Sequence, residues 1–151
     1  MKSLILSIVL LILLLVTPCF AEYRYQGTVV SLYDADTFTV EYDVWPAMKI
    51  TESSRLNGLD TPELRGAKNN CEQEHGYKAK DFTKELILGK TFEVILHKRE
   101  KFGRPLVDLI LPDGKTLTDL LIEKGFAYDY HGEKKRNWFP KCPNLTPLLS
   151  K

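Results

Sequence analysis

Histidine and cysteine are scarce in this chain of 151 residues, three of each. The sequence after residue 21 has no internal repeat and no low-complexity segment, which excludes solenoids and repeat arrays. Two cysteines remain beyond Cys19, Cys71 and Cys142, and neither has a second Cys or His at ligand spacing beside it. A structural zinc site built on cysteine is therefore disfavoured. Charge of one sign is also lacking. Apart from Lys2, 20 basic residues face 20 acidic ones. Such a balance neither marks nor excludes a nucleic-acid binder, because a small enzyme needs only a local basic rim around an acidic site.

The apolar run from Leu4 to Val16 is short for a membrane span, which takes about 20 residues. Lys2 precedes it, Thr17 and Pro18 end it, and Cys19-Phe20-Ala21 offers small residues where a signal peptidase reads. Residues 1–21 are expected to be a signal peptide, cleaved after Ala21. The remaining 130 residues have the length of one domain with a real core. Export places Cys71 and Cys142 in an oxidising compartment, which favours a disulfide between them over two free thiols. Such a bridge would tie the loop before the first helix to the tail. The loop-length model gives it about 4 kcal/mol.

Hydrophobic patterning predicts strands at residues 26–32, 37–42 and 49–56. Phe38, Val40 and Tyr42 alternate on one face of the second. Residues 57–70 read as a long loop, a frequent home of function. Ala79, Phe82, Thr83, Leu86 and Ile87 recur at helical spacing, and Gly89 stands where that helix ends. Phe92, Val94 and Leu96 predict a fourth strand, and residues 105–111 a fifth. Thr116 can cap a short helix carrying Leu117, Leu120 and Leu121. Three strands, a helix, two strands and a helix fit a mainly β, α+β domain over residues 22–131. The architecture expected is a five-stranded Greek-key barrel of the OB type. Residues 132–151 lack periodicity, hold three prolines and read as an irregular tail.

Charged residues gather in three clusters: Asp34-Ala35-Asp36-Thr37, Arg55 through Asp60-Thr61-Pro62-Glu63, and Glu100-Lys101-Phe102-Gly103-Arg104. Phosphodiester hydrolysis needs an oriented water, stabilisation of charge developing on phosphoryl oxygens, and in-line geometry. Asp36 and Asp60 could hold a hard cation, and Glu63 could hold the water. Arg55 and Arg104 could grip phosphate through the two-pronged guanidinium fork. Oxygen ligands favour calcium or magnesium over zinc. None of His75, His97 and His131 falls inside the clusters, which argues against a histidine base. Singly, each cluster reads as an ordinary turn, loop or solvated charge.

In combination the sequence resembles the staphylococcal nuclease (thermonuclease) family over residues 25–131. That family carries Asp-Gly-Asp-Thr, then Arg followed five residues later by Asp-Thr-Pro-Glu, then Tyr-Gly-Arg. The resemblance implies an exported, calcium-dependent nuclease that cleaves DNA and RNA to leave 3′-phosphate ends. It implies Asp36, Asp60 and the Thr61 carbonyl as calcium ligands, Glu63 as the water-orienting residue, and Arg55 and Arg104 on the scissile phosphate. Lys101 is a candidate for a terminal phosphate, against the default of a solvated charge. Tyr128 and Tyr130 are candidates for nucleotide contact, against simple filling of the barrel mouth. Ala35 stands where the family has Gly; a left-handed backbone there would cost alanine about 1–2 kcal/mol. Phe102 replaces Tyr and removes a hydroxyl. The expected protein acts as a monomer, with nucleic acid as its partner and no stable membrane association once the leader is removed. The alternative is a catalytically silent OB module that binds single strands. A third reading is a small domain whose acids only bind calcium.

Overall fold

The computed structural model describes residues 22–140. The expected leader, Cys142 and the end of the tail lie outside the described residues. Strands β1 (Tyr23–Leu32), β2 (Thr37–Trp45) and β3 (Met48–Leu56) form an antiparallel meander. A two-residue strand β4 (Leu59–Asp60) follows, then helix α1 (Asn70–Ile87). Strand β5 (Thr91–Arg99) pairs antiparallel with β1 and with β6 (Pro105–Ile110). β6 then closes on β3 in parallel, giving a closed five-stranded barrel in the order β1-β2-β3-β6-β5. Helix α2 (Leu117–Glu123) leads into β7 (Tyr128–Asp129), which pairs with β4 outside the barrel. This is the expected OB-type, α+β fold.

Period-two alternation builds the core. Val29, Phe38, Val40, Tyr42, Val94, Val107 and Leu109 point inward, and Ile87, Leu117 and Leu121 pack on them from the helices. Full burial of such side chains is worth about 1.5–3 kcal/mol each. Gly27 has a specific reason to lack a side chain: a Cβ there would lie 2.6 Å from Val40 Cγ1. Val30, next to buried Val29, is turned out to solvent. The ladder between β1 and β2 shifts register between Val29 and Ser31, and the extra residue faces away from the core.

Helix α1 starts earlier than its apolar face suggests. Asn69 caps it, accepting from the Glu72 amide at 2.9 Å. Cys71 therefore sits in the first helical turn, not in the loop before it. Cys71 is disulfide-bonded; its expected partner, Cys142, is among the residues not described. Residues 132–140 form no helix or strand. They nonetheless lie against the body. Asn69 Nδ2 donates to the Phe139 carbonyl at 3.0 Å, and the His75 ring meets those of Phe126, Trp138 and Phe139 at 5.4–5.8 Å.

Candidate active site

The barrel's pairing brings the three charged clusters to one end. Antiparallel pairing of β2 with β3 sets Thr37 opposite Arg55, and the Leu56 amide donates to the Asp36 carbonyl at 2.8 Å. Parallel pairing sets Arg55 beside Leu106, two residues after Arg104. Four residues beyond Leu56, Asp60 is fixed by pairing with Tyr128. The loop after it is held by α1. Gly76 comes so close that an added Cβ would sit 2.9 Å from the Pro62 carbonyl and 2.9 Å from Leu64 Cδ2. Buried Glu72 accepts from the Lys68 amide at 2.8 Å and meets the Glu63 amide at 3.5 Å.

The five charged candidates form one connected network. Arg55 Nη2 reaches Asp36 Oδ2 at 2.8 Å and Asp60 Oδ1 at 3.3 Å. Thr37 Oγ1 donates to Asp36 Oδ1 at 2.9 Å and receives Arg104 Nη1 at 3.3 Å. Glu100 holds the other side of Arg104, through Nε at 2.5 Å. Lys135 Nζ lies 2.7 Å from Asp60 Oδ1 and 2.6 Å from Glu63 Oε1, joining the last candidate to the rest. The Asp36 and Asp60 side chains are 3% and 2% exposed, so their charges depend on these partners and not on bulk water. Thr61, also buried, follows directly.

The electrostatics follow from burial and from crowding of acids. Burial, and then the neighbouring Asp36 carboxylate, push the Asp34 pKa up to about 8. Asp34 Oδ1 is buried without a hydrogen-bond partner. Burial works against the Arg55 charge, but Asp36, Asp60 and Asp34 together outweigh it and raise its pKa. Lys135 behaves likewise: burial lowers its pKa, while Asp60 and Glu63 more than reverse this. Burial, partly opposed by the Arg136 amide and reinforced by Asp60, pushes Tyr128 up to about 12.

The set that the resemblance implies for calcium, Asp36, Asp60 and the Thr61 carbonyl, offers oxygens only, the donor type that suits a hard divalent cation, and all three residues are buried. Among the described residues no three acidic, His or Cys side chains converge on a common point. Two side chains and one main-chain carbonyl is the smaller set at issue here, and two protein cations, Arg55 and Lys135, already contact those acids.

Beside the network lies a cleft of about 520 Å³, lined by Arg55, Leu59, Arg99, Glu100, Lys101, Tyr130 and His131, among others. Lys101 and Tyr130 thus border the same site as Arg55. Tyr128 is placed differently. Its hydroxyl donates to Asp60 Oδ2 at 2.9 Å, and its ring packs against Trp138 at 4.8 Å and the Arg136 guanidinium at 4.7 Å. It is not among the residues that line the cleft. Ala35 carries no positive φ; among the described non-glycine residues only Ala47 does. The cost expected of alanine at position 35 therefore does not arise.

The family described as "Staphylococcal nuclease homologue" matches residues 53–144. The chain belongs to that family. A protein of Escherichia coli O157:H7 named "Uncharacterized endonuclease" is 33% identical over 120 residues, 80% of this chain and 69% of the relative. A protein of the same name from Escherichia coli matches over the same shares. "Staphylococcal-like nuclease CAN1" of Arabidopsis thaliana is 28% identical over 90 residues, 60% of this chain and 25% of its own length. The staphylococcal nuclease homologue match includes Arg55, Asp60, Glu63 and Arg104; Asp36 lies before it.

Asp34 stands in the first charged cluster, but the sequence assigns it no role of its own. Three further participants have no signal in the sequence. Glu72 and Gly76 fall in a polar stretch whose helical role depends on packing. Lys135 lies 72 residues from Glu63 in an aperiodic tail. The bridge it makes is a product of tertiary structure alone.

Proposed function

We propose that this member of the family is an exported, calcium-dependent nuclease that hydrolyses phosphodiester bonds in DNA and RNA and leaves 3′-phosphate ends. The observation that carries the reading is the connected network of Asp36, Arg55, Asp60, Glu63 and Arg104 beside an open cleft. Asp36, Asp60 and the Thr61 carbonyl would hold the calcium. When bound, the ion supplies fixed positive charge close to the phosphate.

Glu63, with a side chain 42% exposed, can accept a proton from a water approaching from solvent. Arg55, held on Asp36, and Arg104, held on Thr37, can bind phosphate oxygens as charge builds there. Glu100 and Thr37 orient Arg104. The cleft bordered by Lys101 and Tyr130 offers room for the adjoining nucleotide. Export rests on the leader-like residues 1–21.

The test is single-turnover cleavage of labelled single-stranded DNA in calcium by wild type and Glu63→Gln. Fast cleavage by wild type with a collapse in the variant is expected. Equal rates would overturn the role given to Glu63. An oligonucleotide bound but uncut by wild type would favour the silent binding module.

A further inference from the structure

One cation in this site comes from an unexpected part of the chain. Lys135 Nζ lies between Asp60 Oδ1 and Glu63 Oε1, at 2.7 and 2.6 Å. It is not a wandering surface side chain, because the backbone around it is fastened at several points. The Arg136 amide donates to the Tyr128 hydroxyl at 2.9 Å, and that hydroxyl itself donates to Asp60 Oδ2. The Arg136 guanidinium lies on the Tyr128 ring, and Trp138 packs on the same ring. Trp138 and Phe139 then close on His75 of α1. Residues 135–139 thus form a strap laid from β7 to α1, with one ammonium set between the carboxylate assigned to the metal and the carboxylate assigned to the water.

We propose that Lys135 is the resident counter-ion of this acid pair and competes with calcium for Asp60, so that metal loading and release of Glu63 are a single exchange. The inference rests on the calcium-dependent reading above. Asp60 Oδ1 already carries two protein cations, Lys135 Nζ at 2.7 Å and Arg55 Nη2 at 3.3 Å, and a divalent ion bonded to the same oxygen would be strongly repelled by the ammonium, the nearer of the two. Seating calcium there requires the ammonium to leave. Its departure also uncovers Glu63 Oε1, the oxygen needed for water. Without calcium the same ammonium keeps the base occupied, and the site is held closed to chemistry. Tyr128 senses the exchange as well, since its hydroxyl bridges Asp60 to the Arg136 amide.

The experiment is calcium binding by the purified chain without substrate, measured by titration calorimetry, for wild type, Lys135→Gln and Lys134→Gln. Lys134 has the same charge, adjoins Lys135, and makes no contact with Asp60 or Glu63. The Lys135 side chain is 40% exposed, which screens its hold on Asp60, so Lys135→Gln is expected to bind calcium about three- to tenfold more tightly than wild type. Lys134→Gln should stay within about twofold, the share left to general charge. Amide hydrogen exchange supplies a second readout: calcium should speed exchange at Arg136 in wild type. The proposal is overturned if wild type binds calcium and Lys135→Gln binds it equally or more weakly, or if both variants tighten alike. If neither wild type nor Lys135→Gln binds calcium, the calcium reading itself falls and takes the proposal with it. Thermal melts of all three proteins separate a folding defect from a change in affinity.

Discussion

Replacing Arg55 with methionine tests how the site's charges are balanced. The Arg55 side chain is 17% exposed, and its Asp36 and Asp60 partners 3% and 2%. Methionine keeps the apolar stem and deletes the guanidinium. Removing one member of a buried ion pair costs about 3–5 kcal/mol, mostly because the partner charge is left uncompensated. Lys135 still serves Asp60, so the low end, about 3 kcal/mol, applies to the metal-free protein. For a domain of this size that is a fall of about 10 °C in melting temperature. Calcium should recover more stability in the variant than in wild type, since it supplies charge the variant lacks. Urea unfolding with and without calcium measures both effects. A loss under about 1 kcal/mol, or identical calcium stabilisation of the two proteins, would refute the account of Arg55 as the bridge between the acids.

Other outcomes follow from the same geometry. Arg104→Ala should lower turnover by about 10²–10³-fold while changing the melting temperature little; a near-normal rate would remove Arg104 from the phosphate. Asp34 gives a pH dependence. Its folded pKa, about 8, lies above the unfolded value near 3.8, so the metal-free folded state holds the extra proton between them. Stability from this group should be greatest below about pH 4, fall by up to about 1.4 kcal/mol per pH unit as pH rises, and level off above about pH 8. Asp34→Asn should flatten that slope, which denaturant titrations at several pH values would show. Gly76→Ala should cost about 1–3 kcal/mol, because its methyl meets the Pro62 carbonyl and Leu64. It should also slow cleavage by displacing Glu63; unchanged stability would mean that the loop yields freely.

The barrel was legible because its strands obey simple alternation. Phe38, Val40 and Tyr42 are spaced as a half-buried strand must be, and all three are buried. The first half of α1 was not legible. Residues 70–78 are nearly all polar there, Glu72 is buried for its hydrogen bonds, and Gly76 replaces bulk where the helix meets a loop. β4 and β7, two residues each, are too short for any period. Asp36, Arg55, Asp60, Glu63 and Arg104 were found through local motifs, and the pairing of β2, β3 and β6 explains why those motifs meet. Lys135 and the position of Tyr128 depend on how the tail packs over α1 and β7, and no local pattern encodes that.

The most direct test of the central claim compares cleavage of the same DNA substrate by wild type and Asp60→Asn as free calcium is raised from zero in a chelator buffer. Wild type should be inactive without calcium and rise along a saturable curve, while the variant needs far more calcium or never responds. Undiminished cleavage by wild type in excess chelator, or a variant that follows the wild-type curve, would contradict it.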